Sequence, residues 1–421
     1  MLPELQTVIP GPESLRLAAE LRKHESRNIT YVDPSWPVFW ETAQGVNVWD
    51  ADGNRFLDLT SAFGVAGLGH RHPEIIATMH AQSDRLLHGM GDVHPTALKG
   101  QLCAQLSKIT FERWTDSAGK VVLSNSGFES IETALKTARL ATRKNGIIAF
   151  SNGYHGLGYG SLLGTDLAKF QGPFTEQLAP ITTRLPFDGD EIEQLDGSTI
   201  GAVLVEPMQG RGGKNIPSPQ FLKRLRNWCD ANNALLIFDE IYTGFWRTGK
   251  MFACEWDGVV PDLICLGKAL SSGFPISACV GKSEVMDAWP ESPGEALHTS
   301  TFLGHPVGCA MALKSLEILQ RPETEELVAQ TSQLLEKKLR TLRSDQIIDT
   351  RGRGMMWGVE LPENAGPLLG ALLKDGLLML ADGPQGNVLA FTPPFTISEE
   401  ELEFAIQKIS AHLNRSGTFR D

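Results

Sequence analysis

The amino-acid sequence predicts an α/β protein built on a mostly parallel sheet. Short apolar runs recur between residues 121 and 280, and helical patterns such as 130–142 and 220–232 lie between most of them. The runs are continuously apolar rather than alternating, which is typical of strands covered on both faces by helices. Of the 421 residues, 42% are hydrophobic and 21% are charged, as in ordinary globular proteins.

The predicted elements follow one another in a consistent order. An amphipathic helix is predicted over 13–25, and a hairpin with an Asp-Gly turn over 47–59. Six strands of the sheet are then predicted at 121–123, 147–150, 200–205, 235–238, 263–266 and 277–280.

The C-terminal part of the chain has a different pattern. Helices are predicted at 305–320, 323–343 and 398–413, and strands at 354–361 and 388–391. This pattern indicates a separate α+β domain. We therefore expect an N-terminal segment over 1–65 that belongs to the small domain, a large domain over 66–305 and a C-terminal small domain over 306–421.

Composition and charge argue against several classes of function. Lys plus Arg number 38 against 50 Asp plus Glu, and the net charge of -12 argues against nucleic-acid binding through a basic surface. No apolar run approaches the roughly 18 residues of a membrane helix. The N-terminus lacks the pattern of a secretory signal, and no two of the six cysteines form C-x-x-C, so we expect a cytoplasmic protein with reduced thiols. The sequence has no H-E-x-x-H motif, and we predict no metal site.

Residues that could bind or react with a ligand follow three of the predicted strands. In open parallel sheets, ligands bind beyond the carboxyl ends of the strands. Strand 121–123 is followed by a Ser-Asn-Ser-Gly turn that opens a helix, and such a turn offers amides and a positive dipole end to an anion. It can equally be an ordinary helix cap, because Ser126 and Glu129 have capping-box spacing. Asp239 follows the fourth strand, and Lys268 follows the fifth.

These residue types match the needs of one kind of cofactor. An aldehyde cofactor needs an amine, such as Lys268, to form a Schiff base. A pyridine ring that accepts electrons needs a carboxylate, such as Asp239, to keep its nitrogen protonated. A phosphate group needs the helix N-terminus at 126–127. Asp239 and Lys268 could instead form a simple salt bridge, but the coincidence of all three features favours a cofactor site.

With these motifs, the chain resembles the class III pyridoxal-phosphate-dependent aminotransferases, which include the 4-aminobutyrate, ornithine and omega-amino-acid aminotransferases. The resemblance runs from about residue 38 to 413 and is strongest over 238–268; supporting motifs lie at 153–156 and 206–210. It implies a fold-type-I transferase, with a mostly parallel seven-stranded sheet in the large domain and a smaller α+β domain from both chain ends.

The resemblance also implies roles for single residues. Lys268 would form the Schiff base and move a proton, and Asp239 would pair with the pyridinium nitrogen. The other implied contacts to pyridoxal 5'-phosphate are ring stacking by Tyr154 and Ile241, Glu206 beside the ring, phosphate binding by Ser126, Gly127 and the amide of Phe128, and Thr301 of a neighbouring subunit. The active unit would be a homodimer or a dimer of dimers. The reaction would be ping-pong transfer of an amino group from an amine or amino acid to a keto acid or aldehyde.

Two departures from the family pattern concern the substrate. The family commonly has an arginine for the substrate carboxylate shortly before a Pro-Pro pair, and Ala390 stands there. A glutamate that pairs with this arginine often follows the Glu-Pro-x-Gln-Gly segment, and Arg211 stands there instead. We hypothesise that Arg211 binds a substrate carboxylate. The alternative, that Arg211 faces solvent or pairs with another acid, is equally open.

Further differences lie around the expected substrate pocket. Leu157 replaces an arginine of 4-aminobutyrate enzymes, and Tyr242 replaces a frequent glutamine. These changes argue against 4-aminobutyrate or ornithine as the natural substrate. Phe63 would line a pocket suited to a bulkier or more apolar amine.

Two other functions remain open at this point. The same fold and lysine serve racemases, epimerases and aminomutases, which return the proton to the substrate without a keto acceptor. A non-catalytic binding protein on this fold is the second alternative, although it would have no need of Lys268, Asp239 and Tyr154 together.

Overall fold

The computed structural model of the chain describes residues 1–28, 30 and 37–414, and it contains two compact units. One unit is Pro73–Glu325, and the other combines Met1–His72 with Glu326–Asp421. This division differs from the expected domain limits at 65 and 305, because the helix that begins at Pro306 packs on two helices of the first unit. Parts of the expected domains, at 29, 31–36 and 415–421, lie outside the described residues.

The strands, in chain order, are β1 (Trp40–Gln44), β2 (Asn47–Asp50), β3 (Arg55–Asp58), β4 (Gly119–Ser124), β5 (Gly146–Phe150), β6 (Thr182–Leu185), β7 (Ile200–Val205), β8 (Leu235–Asp239), β9 (Leu263–Leu266), β10 (Ser277–Lys282), β11 (Asp349–Arg353), β12 (Met356–Glu360), β13 (Leu377–Leu378), β14 (Leu380–Asp382) and β15 (Val388–Phe391).

The right-handed α-helices are α1 (Pro12–His24), α2 (Pro73–Arg85), α3 (Ala97–Ile109), α4 (Phe111–Thr115), α5 (Gly127–Thr142), α6 (Tyr159–Gly164), α7 (Ala168–Gln171), α8 (Phe221–Asn232), α9 (Ser283–Met286), α10 (Pro306–Leu319), α11 (Pro322–Leu339), α12 (Gly366–Lys374) and α13 (Glu399–Leu413). Over the described residues, no helix has both the length and the apolar character needed to cross a membrane.

The unit Pro73–Glu325 is built on a seven-stranded sheet in the order β4-β10-β9-β8-β7-β5-β6. Strand β10 runs antiparallel to β4 and β9, and the remaining neighbouring strands pair in parallel. The predicted α/β fold with a mostly parallel sheet is therefore confirmed. All six strands predicted for the sheet are present, with ends within two residues of the prediction.

Helix α5 covers part of this sheet with one apolar face. Ile131, Ala134 and Ala138, at helical spacing, pack with Leu204 and Ile237 of the strands in one buried cluster. Burying a large aliphatic side chain contributes roughly 1.5–3 kcal/mol. Because β4 leads directly into α5, this packing fixes the helix N-terminus at the carboxyl edge of the sheet.

The other unit contains two four-stranded sheets, in the orders β1-β2-β3-β13 and β11-β12-β15-β14. The predicted hairpin is formed by β2 and β3. Ile9, Phe56 and Leu373 form a buried cluster beside the first sheet.

A left-handed turn, Ser61–Gly64, follows β3 in this unit, and each of its residues has a positive φ. Such backbone costs roughly 1–2 kcal/mol per non-glycine residue. Buried Asp58 offsets part of that cost, because it accepts a hydrogen bond from the Ala62 amide at 3.1 Å and contacts His70 Nε2 at 2.8 Å. The turn leaves Phe63 57% exposed.

Candidate active site

Three neighbouring strands bring the main predicted site residues to one edge of the sheet. Glu206 follows β7, Asp239 ends β8, and Lys268 follows β9 after a single glycine, Gly267. Strands β7, β8 and β9 are consecutive in the sheet and parallel, so their carboxyl ends meet at the same edge. The position of these residues is that of a ligand site in an open α/β sheet.

Lys268 is half-buried and adopts a left-handed backbone with φ of 44°. This conformation is costly for a residue with a side chain, and such strain clusters at functional sites. Burial lowers the pKa of the Lys268 amine, and the positive charges of Lys214 and Arg211 act in the same direction. The carboxylates of Asp239 and Glu206 oppose the shift. The neutral form of the Lys268 amine is therefore more favoured in this site than it would be in water.

Asp239 is nearly buried and held from two sides. His155 Nδ1 lies 2.8 Å from one carboxylate oxygen, and the Ile241 amide donates to the other at 3.1 Å. The amide of His155 donates in turn to Thr165 Oγ1 at 2.9 Å. No role for His155 was predicted from the sequence, and the structure places its ring on Asp239. The motif Gly-Tyr-His-Gly was the only sequence signal for this contact.

Glu206 connects the end of β7 with the turn that carries Tyr154. Its carboxylate accepts hydrogen bonds from the amides of Tyr154 at 3.0 Å and Gly210 at 2.9 Å. Burial raises the pKa of Glu206 to about 6; nearby Asp239 raises it as well, and His155 acts against the shift. Glu206 thus fixes the backbone on which Tyr154 stands.

The N-terminus of α5 offers a cradle for an anion. The amide and hydroxyl of Ser126 both donate to Glu129, at 2.7 and 3.0 Å, so the predicted helix cap is formed. No acceptor among the described residues bonds the amides of Gly127 and Phe128. A Cβ at position 127 would lie 3.0 Å from Ile241, so glycine allows the turn to approach that side chain. Two free amides at the positive end of a 16-residue helix fit a phosphate.

Arg211 lies over aromatic rings near this edge. Its guanidinium carbon is 4.6 Å from the ring centre of Tyr154 and 5.5 Å from that of Phe170. The two rings are themselves 5.8 Å apart in an edge-on arrangement. Over the described part of the chain, no carboxylate lies within 4 Å of the Arg211 guanidinium. Stacking holds the side chain, and no described carboxylate pairs with its donors.

The ring of Tyr242 is close to two lysines. The Nζ atoms of Lys268 and Lys214 are 4.7 and 4.5 Å from the ring centre. Lys214 is fully buried and belongs to the glycine-rich loop after β7. Sequence reasoning did not select Lys214, since a lysine in a glycine-rich loop carries no signal of burial.

The remaining predicted residues stand apart from this group. Thr301 is exposed, and its neighbour Ser300 accepts a hydrogen bond from Asn125 at 3.1 Å, beside the Ser126 turn. Phe63 belongs to the other unit. In the described ranges, no group of His, Cys, Asp or Glu could hold a metal ion.

Together these residues fit a phosphate-bearing pyridine aldehyde. The free amides of α5 suit its phosphate, Asp239 suits a protonated ring nitrogen, and Lys268 suits the aldehyde carbon.

Comparison with known proteins gives the same answer. A model of the family "Aminotransferase class-III" matches residues 30–413. An ornithine aminotransferase from Bacillus cereus is 36% identical over 388 residues, which cover 90% of this chain and 94% of the relative. A 4-aminobutyrate aminotransferase from Mycobacterium leprae is 35% identical over 446 residues, which cover 97% of each chain.

A solved structure agrees with these relatives. The ornithine aminotransferase from Toxoplasma gondii, whose active site holds PLP at partial occupancy, matches with a TM-score of 0.83 and 30% identity, over 94% of this chain and 93% of its own. None of these findings supports a racemase, epimerase or aminomutase, or a non-catalytic binding protein. The chain belongs to the class-III aminotransferases and is a pyridoxal-phosphate-dependent transaminase.

Proposed function

We propose that this aminotransferase works through the amine of Lys268, with Asp239 and the N-terminus of α5 holding the cofactor. The observation that carries the proposal is the meeting of Lys268, Asp239 and two unbonded helix amides at one edge of one sheet. When bound, pyridoxal phosphate supplies an aldehyde and an electron-withdrawing ring that labilises the proton on the amino-bearing carbon. The chain must then hold the ring, move that proton and exclude competing groups.

Lys268 is suited to both parts of its role. Its pKa is lowered chiefly by burial, so a neutral amine is available to attack a carbonyl carbon and to accept a proton. Asp239 has the complementary task of keeping the ring nitrogen protonated. His155 and the Ile241 amide orient its carboxylate for this purpose.

The ring and the phosphate would be held by groups around that edge. Tyr154 and Ile241 are proposed to stack on the two ring faces, and Glu206 to stand near the ring hydroxyl. The amides of Gly127 and Phe128 would bind the phosphate, and the Ser126 hydroxyl would join them by turning from Glu129.

A second copy of the chain would complete the phosphate site. We propose a homodimer in which Thr301 from one copy reaches the phosphate held by the other. The exposure of Thr301 supports this, since its side chain is available to a second copy. If this is correct, a variant altered in the 299–304 segment should lose both cofactor binding and dimer formation.

Lys268→Ala tests the assignment directly. We expect transfer of the amino group to fall at least about a thousandfold, because no other amine replaces the lost nucleophile and proton carrier. The visible absorbance of the cofactor-loaded protein should change as well. Turnover that survives the substitution would overturn the assignment of Lys268.

The substrate class is proposed from Arg211. Its guanidinium is stacked on Tyr154, close enough to Lys268 to influence its pKa, and no described carboxylate occupies its donors. An arginine of this kind is suited to bind the carboxylate of an amino acid or keto acid. Tyr242 is proposed to line the pocket for the apolar part of the substrate, and the substrate contact expected of Phe63 stays a prediction.

Paired substrates test this role. Arg211→Ala should raise KM about 10-fold or more for amino-acid donors, because a hydrogen bond to a charged group contributes about 1.5–3 kcal/mol. KM for a primary amine of the same carbon chain without the carboxylate should stay within about threefold, and Arg211→Lys should fall between the two. Equal changes for both donors would contradict a carboxylate contact.

A further inference from the structure

Two lysines at the active site lie close to the ring of Tyr242. Lys268 Nζ is 4.7 Å from the ring centre and Lys214 Nζ is 4.5 Å from it, so the two nitrogens are no more than about 9 Å apart. Lys214 is fully buried, whereas Lys268 is half-buried at the end of β9. A second, buried lysine therefore stands within a short distance of the reacting amine, and both lie close to the same aromatic ring.

The backbone around Lys214 holds it in this place. Lys214 has a left-handed φ of 57°, and its amide donates to the Gly210 carbonyl at 3.2 Å. The same loop is closed by the Gln209 amide, which donates to the Asn215 carbonyl at 3.0 Å. The loop thus turns back on itself just after Glu206.

Several charged groups influence Lys268 from the elements around it. The acids are Asp239 at the end of β8 and Glu206 after β7, while the cations are Lys214 and Arg211 in the loop that follows. A like charge favours the neutral form of an amine, and this is one of the ways in which reactive lysines are activated.

We propose that Lys214 is a positioning residue for the aminotransferase reaction: it holds the Tyr242 ring against Lys268 and keeps a second positive charge beside the reacting amine. The proposal rests on the proposed role of Lys268. The attraction between the Lys214 amine and the Tyr242 ring helps to hold the ring, and the ring in turn limits the positions open to Lys268. The two acids alone would favour protonated Lys268, and Lys214 counteracts them.

The reactivity of Lys268 as a function of pH tests the proposal. The full-length chain is treated with trace acetic anhydride, before and after loading with pyridoxal phosphate, and acetylation of Lys268 is measured by mass spectrometry of its peptide. Loading should protect Lys268; absence of protection would count against the proposed function itself. In the chain without cofactor, the midpoint of labelling reports the pKa of the amine.

Lys214→Met should raise this midpoint by about one pH unit, the size expected for removing a charge some 9 Å away at intermediate dielectric. Lys214→Arg keeps the charge and should stay within about 0.3 unit of the unmodified chain. Lys144→Met is the matched control, because Lys144 binds two carbonyl oxygens at Gly197 and Asn232. It should leave the midpoint unchanged.

A midpoint for Lys214→Met that equals that of the unmodified chain would overturn the proposal, and so would a Lys214→Arg midpoint that matches Lys214→Met. If Lys214→Met does not fold, judged by its thermal unfolding, Lys214→Gln provides a second neutral side chain for the same measurement. Protection of Lys268 by the cofactor together with an unshifted midpoint would remove only the role of Lys214.

Discussion

Two glutamates at neighbouring strand ends have the same burial and different surroundings. Glu206 follows β7 and accepts hydrogen bonds from the amides of Tyr154 and Gly210. Glu240 follows β8 and accepts from the Thr243 hydroxyl at 2.5 Å and from the amides of residues 253 and 254, both at 2.8 Å. Burial raises the pKa of Glu206 to about 6 and that of Glu240 to about 7.

The difference lies in what each carboxylate faces. Glu206 raises the pKa of Lys268 and is itself influenced by His155 and Asp239, so its charge belongs to the active site. Glu240 accepts from two backbone amides and one hydroxyl and has Glu255 as a charged neighbour, and it closes the segment between Thr243 and Cys254, away from Lys268. A raised pKa in a buried acid therefore indicates a reactive site only when a functional group responds to its charge.

The largest expected effect is on stability and concerns Glu240. Glu240→Ala should lower the free energy of unfolding by roughly 3–5 kcal/mol, because it leaves two amides and a hydroxyl without their acceptor in the interior. Chemical denaturation measures the change. Exposed Glu363→Ala serves as the control and should stay within about 0.5 kcal/mol. A decrease in the free energy of unfolding below about 1 kcal/mol would show that the hydrogen bonds of Glu240 do not hold this segment in place.

The second effect is the pH dependence of stability. The pKa of Glu240 rises from 4.5 to about 7 on folding, so the folded chain binds this proton more tightly than the unfolded chain. Protonated Glu240 therefore adds up to roughly 3 kcal/mol to the free energy of unfolding below about pH 4.5, and this contribution is lost as the pH rises through 7. Glu240→Gln should flatten the dependence between pH 4.5 and 7. Parallel curves for the two proteins would contradict the raised pKa.

The smallest effect is on reactivity and concerns Glu206. Glu206→Gln removes a charge that favours protonated Lys268, so the labelling midpoint of Lys268 should fall, opposite to the change in Lys214→Met. We expect kcat/KM to fall about tenfold, less than the roughly 10²–10⁴-fold effect of a group that itself transfers a proton. If Glu206→Gln instead changes only the denaturation midpoint, the two glutamates have the same structural role.

Most of the central sheet could be predicted from the sequence. Its buried strands are continuous apolar runs, and that signal is local. Strand β6, Thr182–Leu185, was missed because it lies at the sheet edge and its sequence, Thr-Thr-Arg-Leu, is mostly polar. Helix α12, Gly366–Lys374, was missed as well, since it is short and mostly apolar, and a short apolar run does not distinguish a helix from a strand.

Only some features of the candidate site could be predicted from the sequence. Lys268, Asp239 and the Ser126 turn were selected because they stand next to recognisable strands and within a known motif. The contact of His155 with Asp239 joins residues 84 positions apart, and no local pattern predicts it. The burial of Lys214 could not be predicted from a local sequence pattern either.

The sequence by itself determined the family, the α/β fold and the residues that end β7, β8 and β9, because apolar runs and motif spacing are written along the chain. Tertiary structure alone decided which charges surround Lys268, that His155 orients Asp239, and that two lysines lie close to the Tyr242 ring. These relations depend on the register of parallel strands and on loops folding back over the sheet edge. Burial and electrostatic effects act over distances in space, so they exist only after the strands have come together.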